Sequence, residues 1–180
     1  MEKLMSCTNS FDQTESDEIM ASLEYKKGDL FLNLEKDKKI LIAHIANDLG
    51  EMGGGFADGL TKNLPENKTK YKNDIANTLL CNGDPLGTVS FYQHSYNLRV
   101  ANMVAQHRHI GVGEKRPIRY VALMECMRKV KLCMNGKYGP EEIYCPKFGS
   151  DRARGHWPTI EALIEELWVS KGIDVTVFEL

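Results

Sequence analysis

Ile42-Ala-His-Ile-Ala-Asn-Asp-Leu-Gly-Glu-Met-Gly-Gly-Gly-Phe-Ala-Asp-Gly-Leu60 is the stretch that decides the fold. The apolar run from Lys39 to Ala46 reads as a buried strand, and it stops at the polar pair Asn47-Asp48. Gly53, Gly54 and Gly55 follow, and a helical pattern opens at Phe56. A strand, a glycine loop and a helix start form a geometry that binds phosphate, because unpaired backbone N–H groups face the anion and glycine lets the chain come close. His44, Asn47 and Asp48 are expected at the end of that strand, the edge where α/β folds place their chemistry. The spacing departs from the common nucleotide loops: there is no GxxxxGK[ST], and the glycines miss GxGxxG. Gly111-Val-Gly-Glu-Lys115 leads into Arg116-Pro117 where a P-loop has Ser or Thr, so it is excluded as one.

Working outward, strands and helices alternate. Strands are expected over 22–27, 39–46, 88–93, 97–106, 142–145 and 174–178. Helices are expected over 56–64, 67–80 and from Arg116 to about Met134, with a last one opening at Trp157-Pro158. The helix after Arg116 carries Ile118, Val121, Ala122, Cys126, Met127 and Val130 at helical spacing, and the last carries Ile160, Leu163, Ile164 and Leu167. This alternation predicts an α/β sandwich around a mixed sheet. Residues 1–21, with the acidic run Phe11 to Glu18, read as a flexible tail, and 22–180 as one domain.

The 180 residues are 42% hydrophobic and 27% charged, with a net charge of −2, so no global field draws the chain to nucleic acid or an anionic membrane. Any anion site must be local. The five cysteines form no CxxC, and no signal peptide or membrane-length apolar run is read, which predicts reduced thiols and a cytoplasmic protein, or a nuclear one in a eukaryote. His107 and His109 do not make a zinc site with any nearby Cys or Asp spacing, so no metal is expected. There is no GxSxG nucleophile elbow.

A second loop, Cys145-Pro-Lys-Phe-Gly-Ser-Asp-Arg-Ala-Arg-Gly-His-Trp157, repeats the strand–loop–helix arrangement. Gly149 and Gly155 bracket Ser150, Asp151, Arg152 and Arg154, polar groups suited to phosphate or ribose. Two such loops at one sheet edge can clamp a pyrophosphate. Gly28-Asp29 closes the first strand with a carboxylate able to accept from an adenine amino group.

With both loops in place, residues 22–180 resemble a macro domain. The resemblance rests on Gly28-Asp29, His44 to Asn47, Gly50, Gly53 to Ala57, Gly113 to Pro117, Pro146 to Gly149, Gly155 to Trp157 and Val175 to Leu180. It is strongest to the branch of ADP-ribose 1″-phosphate phosphatases. The resemblance implies a three-layer α/β/α sandwich and ADP-ribose or its 1″-phosphate as ligand, with no cofactor, in a monomer. Asp29 and Leu30 would hold the adenine, Asn47 the distal ribose, and Gly53, Gly54, Gly55 and Phe56 with the second loop the pyrophosphate. His44 is the implied catalytic residue, with Asp151 to orient water or His44 and Arg152 or Arg154 to hold the terminal phosphate. Against the family's ADP-ribosyl hydrolases the chain departs at Ala57, Gln106-His107 and Ala153, where one or another type carries an Asp or a Lys. Removal of the terminal phosphate therefore leads, with ADP-ribosyl hydrolysis of modified macromolecules and a non-catalytic ADP-ribose reader as alternatives.

Overall fold

The computed structural model describes residues 21–109, 113–136 and 139–179. The expected tail lies, but for Ala21, outside them. Among the described residues six strands form one sheet: β1 (Leu23–Lys27), β2 (Ile40–Asn47), β3 (Val89–Ser95), β4 (Leu98–Gln106), β5 (Glu142–Pro146) and β6 (Asp174–Glu179). Their order is β1-β6-β5-β2-β4-β3, and every neighbouring pair is parallel except β3 with β4. A single antiparallel edge on an otherwise parallel sheet follows from the short Tyr96-Asn97 connection, which can only return as a hairpin.

Among the described residues four α-helices cover both faces: α1 (Phe56–Asn63), α2 (Pro65–Leu80), α3 (Tyr120–Met134) and α4 (Trp157–Leu167). Strand side chains alternate between the two layers. Leu41, Ala43, Ala101, Met103, Ile143, Cys145, Val175 and Val177 meet α3 and α4 through Leu123, Met127, Ile160 and Ile164. Trp168, fully buried, donates its indole N–H to the Met127 carbonyl at 2.9 Å and locks these two helices together. On the other face Ile40, Ile42, Val100, Tyr144 and Phe178 meet Leu60 of α1 and Leu64, the residue joining α1 to α2, while Ala46 and Val104 meet Tyr71 and Ile75 of α2. Burial on both faces explains why β2 reads as an unbroken apolar run. The fold is the three-layer α/β/α sandwich.

The element boundaries differ from the sequence reading in two informative places. Pro65 opens α2 rather than merely ending α1, since its missing N–H costs nothing at the first helical position. α3 begins at Tyr120, because the segment expected as its first turn pairs elsewhere: Arg119 N–H reaches the Ala105 carbonyl at 2.8 Å and Ile118 bridges Gln106. Strand-like pairing there pulls the loop onto the end of β4 and overrides the local Arg-Pro helix signal.

Leu60 is fully buried at the centre of the α1 layer. Leu60→Ala is expected to lower unfolding free energy by about 2–5 kcal/mol. Urea denaturation would show this as a lower midpoint with an unchanged slope.

Candidate functional site

The C-terminal ends of β4, β2 and β5 lie side by side, so the loops leaving them share one crest. The register slips between Ala46 and Asn47, where Ala46 faces Val104 and Asn47 faces Gln106. This bulge re-aims the end of β2 as it enters the glycine loop. Asn47 then organises its own turn: its Oδ1 accepts from the backbone N–H groups of Leu49 and Glu51 at 3.0 and 3.1 Å, and its Nδ2 donates to the Glu51 carbonyl at 2.7 Å. The Tyr71 hydroxyl donates to the Asn47 carbonyl from α2. The amide expected at a distal ribose is thus engaged within the loop.

Gly54 and Gly55 have φ of +128° and +60°, backbone that L side chains rarely adopt. A Cβ on Gly54 would also collide with the Arg152 guanidinium, which crosses over it from the second loop. Arg152 Nη1 lies 3.5 Å from the Gly53 carbonyl. The two loops expected to clamp a ligand are therefore brought together, and an exposed cation spans them. Within the second loop Gly155 N–H donates to the Gly149 carbonyl at 2.7 Å. A Cβ at Gly155 would stand 2.7 Å from that oxygen and from Ile118 Cδ1, so glycine is required for the close approach. Ser150 donates to the Lys147 carbonyl at 2.8 Å, Asp151 is exposed, and Ala153 is buried in the core. Arg154, at φ +53°, leans the other way, with Nη1 3.4 Å from the Lys115 carbonyl.

At the β1 end Asp29 caps a 3-10 turn over Leu30–Asn33, accepting from Phe31 N–H at 2.8 Å through one oxygen. A carboxylate has two, so one remains for a ligand. The Leu30 side chain is in the core at 3% exposure, which leaves only its backbone for any ligand. Phe31 stacks on Phe56 at 5.5 Å between centroids, which joins the Asp29 turn to the start of α1.

The expected placement of His44 is corrected. It is the fifth of eight residues in β2, three short of its end, on the face covered by α1 and α2. It is 3% exposed, under the Phe56 ring at 5.7 Å. Its Nε2 donates to Asn102 Oδ1 at 2.7 Å. Asn102 and Asn67 exchange both their amide groups, at 2.9 and 3.1 Å, and Asn102 Nδ2 also donates to the Ser90 carbonyl at 3.0 Å. Burial pushes the imidazole down to about 4, only partly offset by the hydrogen bond to Asn102, so it is neutral near pH 7.

Two pairings escaped the sequence reading. His107, one residue past β4, donates through Nδ1 to Asp48 Oδ2 at 2.6 Å, and Asp48 Oδ1 accepts the Arg108 N–H at 2.7 Å. His109 Nε2 lies 3.0 Å from Glu51 Oε2. A carboxylate and a histidine each directly following one of two neighbouring parallel strands were the available signal. Among the described residues no cluster of three or more His, Cys, Asp or Glu side chains is arranged to hold a metal. Away from the crest, a cavity of about 260 Å³ opens at the other end of the sheet, lined by Leu34, Ile40, Asn97 and Leu98.

No family model matches the chain. A protein of unknown function from Bacteroides thetaiotaomicron is 31% identical, with a TM-score of 0.77 over 89% of this chain and 99% of that one. A macrodomain protein from Streptomyces coelicolor is 29% identical, with a TM-score of 0.73 over 88% of this chain and 99% of that one. The chain belongs to the macro domain family. Among curated proteins, this macro domain is 28% identical over 143 residues to an uncharacterised 17.5 kDa protein of Enterobacteria phage T4, covering 79% of this chain and 88% of that protein. It is 38% identical over 50 residues to the ADP-ribose 1″-phosphate phosphatase of Candida albicans, a match spanning 27% of this chain and 32% of that enzyme. Thermosipho africanus DarTG, solved in complex with ADP-ribose, shares the fold at 16% identity, with a TM-score of 0.65 over 86% of this chain and 41% of that one.

Burial of neutral His44 makes the stability of the fold depend on pH. Its folded pKa is depressed from 6.5 to about 4, so the native state resists a proton that the unfolded chain accepts. The contribution is full above about pH 6.5 and is lost as pH falls through about 4, to the extent of about 3 kcal/mol. His44→Gln is expected to flatten the fall in unfolding free energy between those limits, measured by denaturant titration across pH.

Proposed function

We propose that this macro domain binds ADP-ribose along its crest and removes the terminal phosphate of ADP-ribose 1″-phosphate. The Arg152 guanidinium lying over Gly54, between two glycine-containing anion loops, carries this reading. No carboxylate within salt-bridge reach is paired with it among the described residues. An exposed cation at that point, without a carboxylate partner among the described residues, suits a ligand with one phosphate more than ADP-ribose, through short charge-assisted hydrogen bonds. The Candida albicans phosphatase match and the ADP-ribose held by Thermosipho africanus DarTG support the ligand class.

Asp29 takes the adenine amino group, beside the stacked Phe31 and Phe56. The backbone N–H groups of Gly53 to Gly55 and of Gly149 to Arg152 wrap the pyrophosphate and distal ribose, while the Gly155 N–H holds the second loop closed on the Gly149 carbonyl. Arg152 swings from Gly53 onto the terminal phosphate. Asn47 shapes the loop, and Asp151 is exposed beside Arg152 for a water. His44 supports Phe56 and α2 from beneath; neutral, buried and engaged with Asn102, it holds the site rather than transferring protons.

Calorimetry with ADP-ribose and phosphate release from ADP-ribose 1″-phosphate test the proposal. Arg152→Ala is expected to weaken binding of the 1″-phosphate by about 10–100-fold, the worth of a charge-assisted bond, with a smaller loss for ADP-ribose. Equal losses for both ligands would place Arg152 on the pyrophosphate instead. Turnover of mono-ADP-ribosylated protein without phosphate release would move the activity to ADP-ribosyl hydrolysis, and tight binding without any turnover would make the domain a reader.

A further inference from the structure

We propose that His107, oriented by Asp48, is the group that carries protons in this site. The inference rests on the ADP-ribose reading above and deepens it. The reaction needs a proton acceptor for water and a proton for the leaving oxygen, and His44 is buried and committed elsewhere. The Asp48–His107 pair has the required arrangement. A carboxylate can only accept, so the 2.6 Å bond to Asp48 Oδ2 fixes the proton on Nδ1 of the neutral ring and leaves Nε2 as the basic nitrogen. Asp48 is itself held, since its other oxygen takes the Arg108 N–H at 2.7 Å and its own N–H reaches the Gln106 carbonyl at 2.9 Å. It is 12% exposed, while the His107 side chain is 36% exposed: a sheltered orienting carboxylate beneath an accessible imidazole. This is the base-and-orienter logic used by many hydrolases.

The pair also stands where the three crest loops meet. Asp48 begins the loop that reaches Gly53. His107 begins the loop after β4, with its N–H on the Pro117 carbonyl at 2.8 Å. That loop is tied to the second anion loop by Ile118 N–H on the Ala153 carbonyl at 3.1 Å and by Arg154 on the Lys115 carbonyl. Arg108 achieves its bond to Asp48 at φ +55°, an unfavourable conformation for a side-chain-bearing residue, held because Asp48 over-determines it.

In the step, water oxygen bonds phosphorus while His107 Nε2 takes one water proton. The P–O bond to C1″ breaks, and the imidazolium returns its proton to the leaving 1″-oxygen. The products are ADP-ribose and inorganic phosphate, and the ring ends as it began.

The experiment uses the full chain and its His107→Gln, Asp48→Asn and His109→Gln variants, checked for native thermal unfolding. ADP-ribose affinity is measured by calorimetry and kcat by phosphate release from ADP-ribose 1″-phosphate. His107→Gln is expected to lose about 100-fold or more in kcat, with ADP-ribose affinity within about twofold of the parent. Asp48→Asn is expected to fall similarly in kcat, and imidazole nitrogen NMR of the neutral ring should show the His107 proton moved from Nδ1 to Nε2, a change that mere loosening does not produce. His109→Gln, on the neighbouring exposed pair, should keep the parental kcat. Undiminished kcat in His107→Gln, or an equal fall in His109→Gln, overturns the dyad while leaving the ADP-ribose site intact. Absence of ADP-ribose binding by the parent chain overturns the site reading, and the dyad with it.

Discussion

The side chain of Asn102 holds this molecule together at its centre. Its Oδ1 accepts from His44 and Asn67, and its Nδ2 donates to Asn67 and the Ser90 carbonyl, so every bonding site of a fully buried amide is filled. Four elements, β2, β3, β4 and α2, meet on that one group. A buried amide left half-paired costs about 1–3 kcal/mol, so the arrangement admits one register of β2 on β4 and one seat for α2. Among the described residues no buried side-chain polar atom lacks a partner.

The crest depends on that register. Because β2 and β4 are locked side by side, Asn47 falls opposite Gln106 after the bulge, and Asp48 comes within reach of His107. Because α2 is seated, Tyr71 can hold the Asn47 carbonyl, and Asn47 can tie the turn that delivers Gly53 to Gly55. His44 carries the load upward, since its ring supports Phe56 at the first residue of α1 and Phe56 stacks on Phe31 beside Asp29. A buried polar knot, a glycine loop and an adenine-side carboxylate thus form one mechanical line through the α1 and α2 layer.

Much of this was legible in the chain because parallel strands buried on both faces write continuous apolar runs, as Lys39 to Ala46 does, and because the helix stripes keep their period. The two glycine loops were legible as loops, and their meeting at one edge followed from the α/β pattern. What sequence could not convey was partnership across distance. His44 reads as a polar residue near a strand end, and only Asn102, 58 residues away, makes it a core residue. Asp48 and His107 are 59 residues apart and pair only once the strand register is set. Arg116-Pro117 reads as a helix start, yet the backbone there serves the end of β4 first. Leu30 follows Asp29 in sequence but turns into the core, because the 3-10 turn capped by Asp29 rotates it inward.

The central claim is that the crest, with Arg152 closing over the glycine loop, is the ligand site. Titrating isotope-labelled full chain with ADP-ribose and following backbone amide shifts tests this most directly. The account predicts the largest shifts at Gly53, Gly54 and Gly55 together with Gly149 to Gly155. Shifts confined to the cavity between Leu34 and Leu98, or none at saturating ligand, would contradict it.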